Sequence, residues 1–141
     1  MKKFFALIVI IIAVVFTIWV LKDKETTLGE EFPDVIKDGS VSEIQVLRGS
    51  DDKEVTIIEE SQKEELLAAL FDTDVKKNKE SNKAGSESYW ITIKSGDERV
   101  FALRVGNGLN VSPYEFGGNK KNSDNYLLTD GNALEVVEAL F

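Results

Sequence analysis

The sequence predicts an α+β protein in which an N-terminal transmembrane helix precedes one antiparallel sheet of about five to six strands, with two helices on one face of that sheet. Three observations carry the prediction. Phe4 to Leu21, FFALIVIIIAVVFTIWVL, is an unbroken apolar run whose only hydroxyl is Thr17. Between residues 41 and 129, apolar residues recur at every second position in several short runs, which is the period of a half-buried strand. Two further segments, one central and one C-terminal, switch to helical spacing behind helix-start signals. The resulting order is ββαββββα.

The apolar run comes first. As a helix it rises about 27 Å, close to the hydrocarbon core of a bilayer. A secretory signal peptide is the competing reading, but it needs a shorter apolar core and a small-x-small exit. Here the run passes through Trp19-Val20-Leu21 directly into Lys22, and the chain has no cysteine for lipid attachment. An uncleaved signal anchor is therefore expected. Lys2 and Lys3 precede the run, whereas Lys22 and Lys24 after it alternate with Asp23 and Glu25. By the positive-inside rule the N-terminus is cytoplasmic and the C-terminal domain extracellular, in a single-pass cell-membrane protein. The chain divides into an anchor (1–21), a tether (22–40) and an extracytoplasmic α+β domain (41–141).

The tether is charged and broken at Phe32-Pro33-Asp34, with Phe32, Val35 and Ile36 available to dock on the domain that follows. Ile44 and Val46, then Val55 and Ile57, alternate with polar residues on either side of Gly49-Ser50-Asp51-Asp52-Lys53, so the pair reads as a hairpin. Ser61-Gln62-Lys63-Glu64 has the form of a capping box and starts a helix whose apolar face is Leu66, Leu67, Leu70 and Phe71. Val75 to Ser88 is rich in Lys, Asn and Ser and reads as a long loop, with a short edge strand near Val75 and Lys76 as its one structured piece. Tyr89, Ile91 and Ile93 turn through Ser95-Gly96-Asp97-Glu98 into Phe101, Leu103 and Val105, the clearest hairpin in the chain. Leu109 to Ser112 follows, with Pro113 marking an edge or a bulge before Tyr114 and Phe116. Gly117 to Asn125 is a turn-forming loop, and Tyr126 to Thr129 is the last strand. Asn132 with Glu135 caps a terminal helix bearing Leu134, Val137, Leu140 and Phe141. Glu65–Phe71 and Glu135–Phe141 align as a quasi-repeat. It is explained either by similar docking on one sheet or by the shared period of two amphipathic helices.

Composition narrows the chemistry. In 141 residues the formal net charge is −8, and the segment after Lys2 and Lys3 is more acidic still. Such a surface repels nucleic acid and anionic head groups. Without cysteine there is no disulfide, thiol catalysis or thiolate metal site, and without histidine the commonest general base and most zinc sites are missing. An exported domain lacking disulfides fits a Gram-positive envelope better than a eukaryotic secretory route.

If the alternating residues above face the helices, the other face of the sheet carries Leu47, Ile58, Trp90, Val100 and Arg104 among polar neighbours. That is more apolar than a solvated face requires, and these five residues are the candidate partner-binding surface. The opposing explanation is that the tether covers it through Phe32, Val35 and Ile36. The paired carboxylates Asp51-Asp52, Asp72 with Asp74, and Asp97-Glu98 all sit in turns, where aspartate is favoured for local hydrogen bonds. Asp72-Thr73-Asp74 opens like a calcium loop but continues into Val75-Lys76-Lys77 where further oxygen ligands are needed. No catalytic residue, metal ligand or cofactor site is expected.

The opening MKKFFALIVIII, the Lys- and Asn-rich loop leading into Ser88-Tyr89-Trp90-Ile91-Thr92-Ile93, the Tyr114 region, and Tyr126-Leu127-Leu128 before a short helix together resemble small membrane- or lipid-anchored extracytoplasmic proteins of Bacillus-like bacteria. The resemblance implies location and general build; it transfers no catalytic residue. The expected function is a non-enzymatic, membrane-tethered binding or interaction domain, with the membrane contacted through residues 4–21 and a protein partner at its outer surface. Envelope sensing and an accessory, inhibitor or immunity-type role all fit that description. A small carboxylate-dependent cell-wall hydrolase is the alternative.

Overall fold

The computed structural model describes residues 2–21, 25–78, 85–117 and 124–141. In chain order the elements are α1 (Lys2–Leu21), β1 (Glu25–Thr27), a 3-10 turn (Leu28–Glu31), α2 (Asp34–Lys37), β2 (Glu43–Arg48), β3 (Glu54–Ile57), α3 (Glu60–Phe71), β4 (Asp74–Lys77), β5 (Ser88–Ser95), β6 (Glu98–Gly106), β7 (Asn110–Glu115), β8 (Tyr126–Leu128) and α4 (Asn132–Glu138). All eight strands join one sheet in the order β1-β4-β8-β7-β6-β5-β2-β3, and every registered pair is antiparallel.

Two expectations are corrected. The sheet has eight strands, not five to six, because β1 and β4 also pair with each other through Thr26 and Val75. Neither strand has an apolar alternation to betray it, and their place is set by ladder hydrogen bonds and by one buried side chain, Val75. The second correction concerns the membrane. Among the described residues no helix is long and apolar enough to cross a membrane. The backbone of α1 is helical from Lys2 to Leu21, and its described side chains, Ala6 to Ile18, are exposed. The transmembrane signal anchor is therefore not supported, nor is the single-pass cell-membrane location with an extracellular domain that was built on it. Lys22 and Lys24, used above for orientation, lie outside the described residues, as do 79–84 and 118–123 of the two loops.

The alternating strands fold as their period requires. On β5 and β6, Tyr89, Ile91, Ile93, Phe101, Leu103 and Val105 are all buried, and a bulge follows Ile93 where the register shifts. Gly96 makes the turn with φ of +62°, a conformation that needs glycine. Leu66 and Leu70 of α3 and Leu134 and Val137 of α4 pack on this same side in one continuous core. Pro113 sits in the interior of the sheet order, yet beyond Val111 the β8 side of β7 has no registered partner among the described residues. It is thus a local edge, where a missing N–H interrupts no ladder.

Helix starts differ in detail from the predicted boxes. The N-cap of α3 is Glu59, and Ser61 Oγ donates to Glu59 Oε1 at 2.9 Å in place of capping the helix. α4 begins after Gly131, with the N–H of Asn132 bound to Asp130 Oδ1 at 3.0 Å. The quasi-repeat does not dock equivalently either. Leu66 and Leu70 are buried, while their counterparts Val136 and Leu140 are only half-buried, so the two helices present different rotations of a similar pattern.

The segment read as a tether is largely built into the domain. Leu28, Phe32 and Ile36 are buried, and the Phe32 ring lies 4.6 Å from Phe71 and 4.8 Å from Phe101, centroid to centroid. Glu31 reaches Tyr126, whose hydroxyl donates to Glu31 Oε1 at 2.7 Å. Burial, with the Glu31 carboxylate beside it, pushes the Tyr126 phenol far above its ordinary value.

Candidate binding surface on the open sheet face

Because side chains alternate across a strand, the register that buries Ile91 and Leu103 aims their neighbours the other way. Two cross-strand rows result. One runs Glu54, Leu47, Trp90, Arg104, Ser112, and the next runs Thr56, Gln45, Thr92, Ala102, Tyr114. Trp90 is 46% exposed and Tyr114 57%. The Arg104 guanidinium lies over the Trp90 ring, 5.4 Å from its centroid, a favourable cation–π placement that also holds the indole in one orientation. Tyr114 meets Phe116 edge-on at 4.9 Å. Ala102, between Thr92 and Tyr114 in the register, is buried and is the smallest side chain in the two rows.

Among the described residues no helix packs its buried side chains over this face, and Asn125 reaches its edge by accepting from Ser112 Oγ at 2.8 Å. The buried side chains of the 3-10 turn and of α2, α3 and α4 all belong to the core on the other side, which disposes of the explanation that Phe32, Val35 and Ile36 cover it. The described side chains of α1 are exposed as well. Of the five residues singled out from the sequence, Leu47, Trp90 and Arg104 are brought together in one row. Ile58 is 66% exposed just past β3, about four residues along the sheet from Leu47, or roughly 13 Å. Val100, at the bulge, packs against the core edge. Tyr114, Ser112 and the exposed Leu127 of β8 were not singled out. Tyr114 shares the parity of Asn110 and Ser112 on β7, but that becomes a statement about a face only once β7 is registered against β6.

The carboxylates offer different chemistry. Asp51 accepts from Arg48 through two nitrogens, at 3.0 and 2.6 Å, and this pairing holds its carboxyl down at about 2. Hydrogen bonds from the Ser50 hydroxyl, and then from the N–H groups of Ser88 and Ser50, hold Glu87 below the ordinary carboxylate range. A general acid in a hydrolase needs the opposite shift. Both groups act as braces: Glu87 Oε1 ties Ser50 N and Ser88 N, each at 3.0 Å, and Arg48 stacks over Phe141 at 4.8 Å. Among the described residues no group of three or more Asp or Glu is placed to hold a metal ion. Comparison with protein-family models, with curated proteins and with solved structures gives no match to this chain.

Proposed function

We propose that this protein is a non-enzymatic binding module, and that the open sheet face around Trp90 is where a protein partner docks. The observation that carries the reading is the row Leu47–Trp90–Arg104 beside Tyr114 on a face that no described helix covers. Tryptophan, tyrosine and arginine are the residues that most often dominate protein interfaces, each joining a large apolar body to a polar handle. About half of an indole's roughly 200 Å² remains to be covered, a contribution of about 2 kcal/mol from Trp90 alone when a partner closes over it. An accessory or inhibitor-type role, in which the module occupies another protein's surface, is the form of this function that needs no catalytic group.

The test is a photo-crosslinking residue at position 90, with position 97 in the β5–β6 turn as control. Each species captured only from position 90 is purified and titrated against the wild-type chain and against Trp90→Ala and Arg104→Ala. The reading expects at least about tenfold weaker binding by Trp90→Ala. It fails if no species is specific to position 90, or if captured partners bind the variants as tightly as the wild type.

A further inference from the structure

α3 and α4 lie side by side, and their outward surfaces leave a trough. Its floor is Leu66, Val136, Ala139 and Leu140, its rims are Gln62 with Glu65 and Asn132 with Glu135, and it encloses about 510 Å³. A second hollow of about 280 Å³ shares Asn132 and Val136 with it and continues past Ala68 and Ala69 to Asp72 and Asp130. The two hollows adjoin at Asn132 and Val136, and the second ends among the polar residues Asp72, Thr73 and Asp130.

The charge on this layer is one-sided. α3 carries Glu60, Glu64 and Glu65, and α4 carries Glu135 and Glu138. The only base on either helix is Lys63, which is buried and committed, with Nζ donating to Val41 O at 2.9 Å and paired with Glu60 at 2.8 Å. Folding alone does not account for the arrangement. Glu60 near the start of α3 is favoured by the helix dipole, but Glu138 at the end of α4 is disfavoured by it. Glu135 with Glu138 is a like-charge pair at helical spacing, and such pairs destabilise a helix. An apolar floor rimmed by the exposed Glu65 and Glu135 is complementary to one kind of object.

We propose that this trough docks a cationic amphipathic helix of another protein. Its apolar stripe, at i, i+3, i+4 and i+7, would lie on Val136, Ala139 and Leu140, and its flanking Lys or Arg residues would meet Glu65 and Glu135. The span of α3 sets a partner helix of about three turns. A second copy of this chain is the wrong occupant, because its own helical layer brings the same acidic charge and its net charge is −8. The site is on the opposite side of the sheet from Trp90 and is independent of that surface.

The test uses the full chain and three labelled synthetic peptides of about fourteen residues. The first is a Leu/Lys amphipathic helix, the second has the same composition in scrambled order, and the third replaces Lys by Glu. Fluorescence anisotropy is expected to show the Leu/Lys helix binding at least about tenfold tighter than the scramble, with no binding of the Glu peptide. Glu65→Lys with Glu135→Lys, two exposed positions that leave the core untouched, is expected to weaken binding about tenfold, Val136→Asp to abolish it, and Trp90→Ala to leave it unchanged. Equal binding of the scramble, indifference to the charge reversals, or loss of binding on Trp90→Ala overturns the proposal. So does a peptide-sensitive dimer of the chain in sedimentation, which would make a second copy the occupant.

Discussion

Phe32→Ala tests whether the stretch between β1 and β2 is structural or a loose connection. Phe32 is 3% exposed and sits between the Phe71 ring of α3 and the Phe101 ring of β6, so its truncation removes two aromatic contacts at once and opens a cavity that backbone on both sides resists filling. Core Phe→Ala replacements cost about 3–5 kcal/mol, and the two ring pairs place this one toward the upper end. Against a total stability of about 5–15 kcal/mol for a domain this size, that is a large fraction. It corresponds to a fall in Tm of about 15 °C, taking roughly 4 °C per kcal/mol for a chain of this length. Urea denaturation followed by circular dichroism reads it directly: the midpoint drops while the m-value stays constant, since the surface exposed on unfolding is unchanged. A connection lying loosely on the surface would lose only about 0.5 kcal/mol. A measured loss below about 1 kcal/mol refutes the placement of residues 28–36 in the core.

Lys63→Met keeps the buried stem but removes the donor to Val41 O; destabilisation of about 1–3 kcal/mol is expected from the carbonyl left without it, whereas Glu60→Gln, at the exposed end of the ion pair, costs less than about 1 kcal/mol. Equal effects in denaturation curves would show that the ion pair, not the carbonyl, is what the lysine serves. Asp51 gives the pH prediction. Its carboxyl is depressed in the folded state from 3.8 to about 2 by the Arg48 hydrogen bonds, so its contribution to stability is present above the unfolded pKa and is lost as pH falls from about 4 toward 2. Its NMR titration midpoint is expected to return toward 3.8 in Arg48→Ala, and an unmoved midpoint contradicts the assignment.

How much of this was legible beforehand depended on period. Val46, Ile91 and Leu103 declared their strands because each sits in a run long enough to alternate twice, and the β5–β6 hairpin followed with its turn. Leu47, Trp90 and Arg104 could be placed on a common face by parity alone, since flipping one residue flips the face. Tyr114 could not, because Pro113 interrupts the pattern beside it. The sequence shows Asp74–Lys77 only as a short edge strand near Val75 and Lys76, and Glu25–Thr27 not at all, whereas β4 lies inside the sheet order between β1 and β8: three or four residues with at most one buried member have no period to read, and their partners lie far away in sequence. Phe32 and Ile36 were recognised as apolar residues that must dock, but composition does not say on which side of a sheet. The helix starts differ from the expected caps by two residues at Ser61, where Glu59 is the N-cap, and by one at Asn132, where Gly131 is.

The strand pairing at one end of the sheet has a kinetic meaning. β5, β6 and β7 are consecutive and β2 with β3 is a hairpin, so their contacts close short loops. β1, β4 and β8 are separated by about fifty residues from one to the next, and joining them requires three distant segments to meet for only six registered pairs in all, eight with the pairs that β8 makes to β7. Loop closure of that length returns little pairing per unit of entropy lost. This corner is therefore the last part of the sheet to assemble and the first to open, and the half-buried bond from Tyr126 to Glu31 is the latch that reports it. Amide exchange in β1, β4 and β8 would run ahead of the meander as a cooperative group, giving the molecule an unlatched state in which the sheet edge is free while both candidate docking surfaces remain intact.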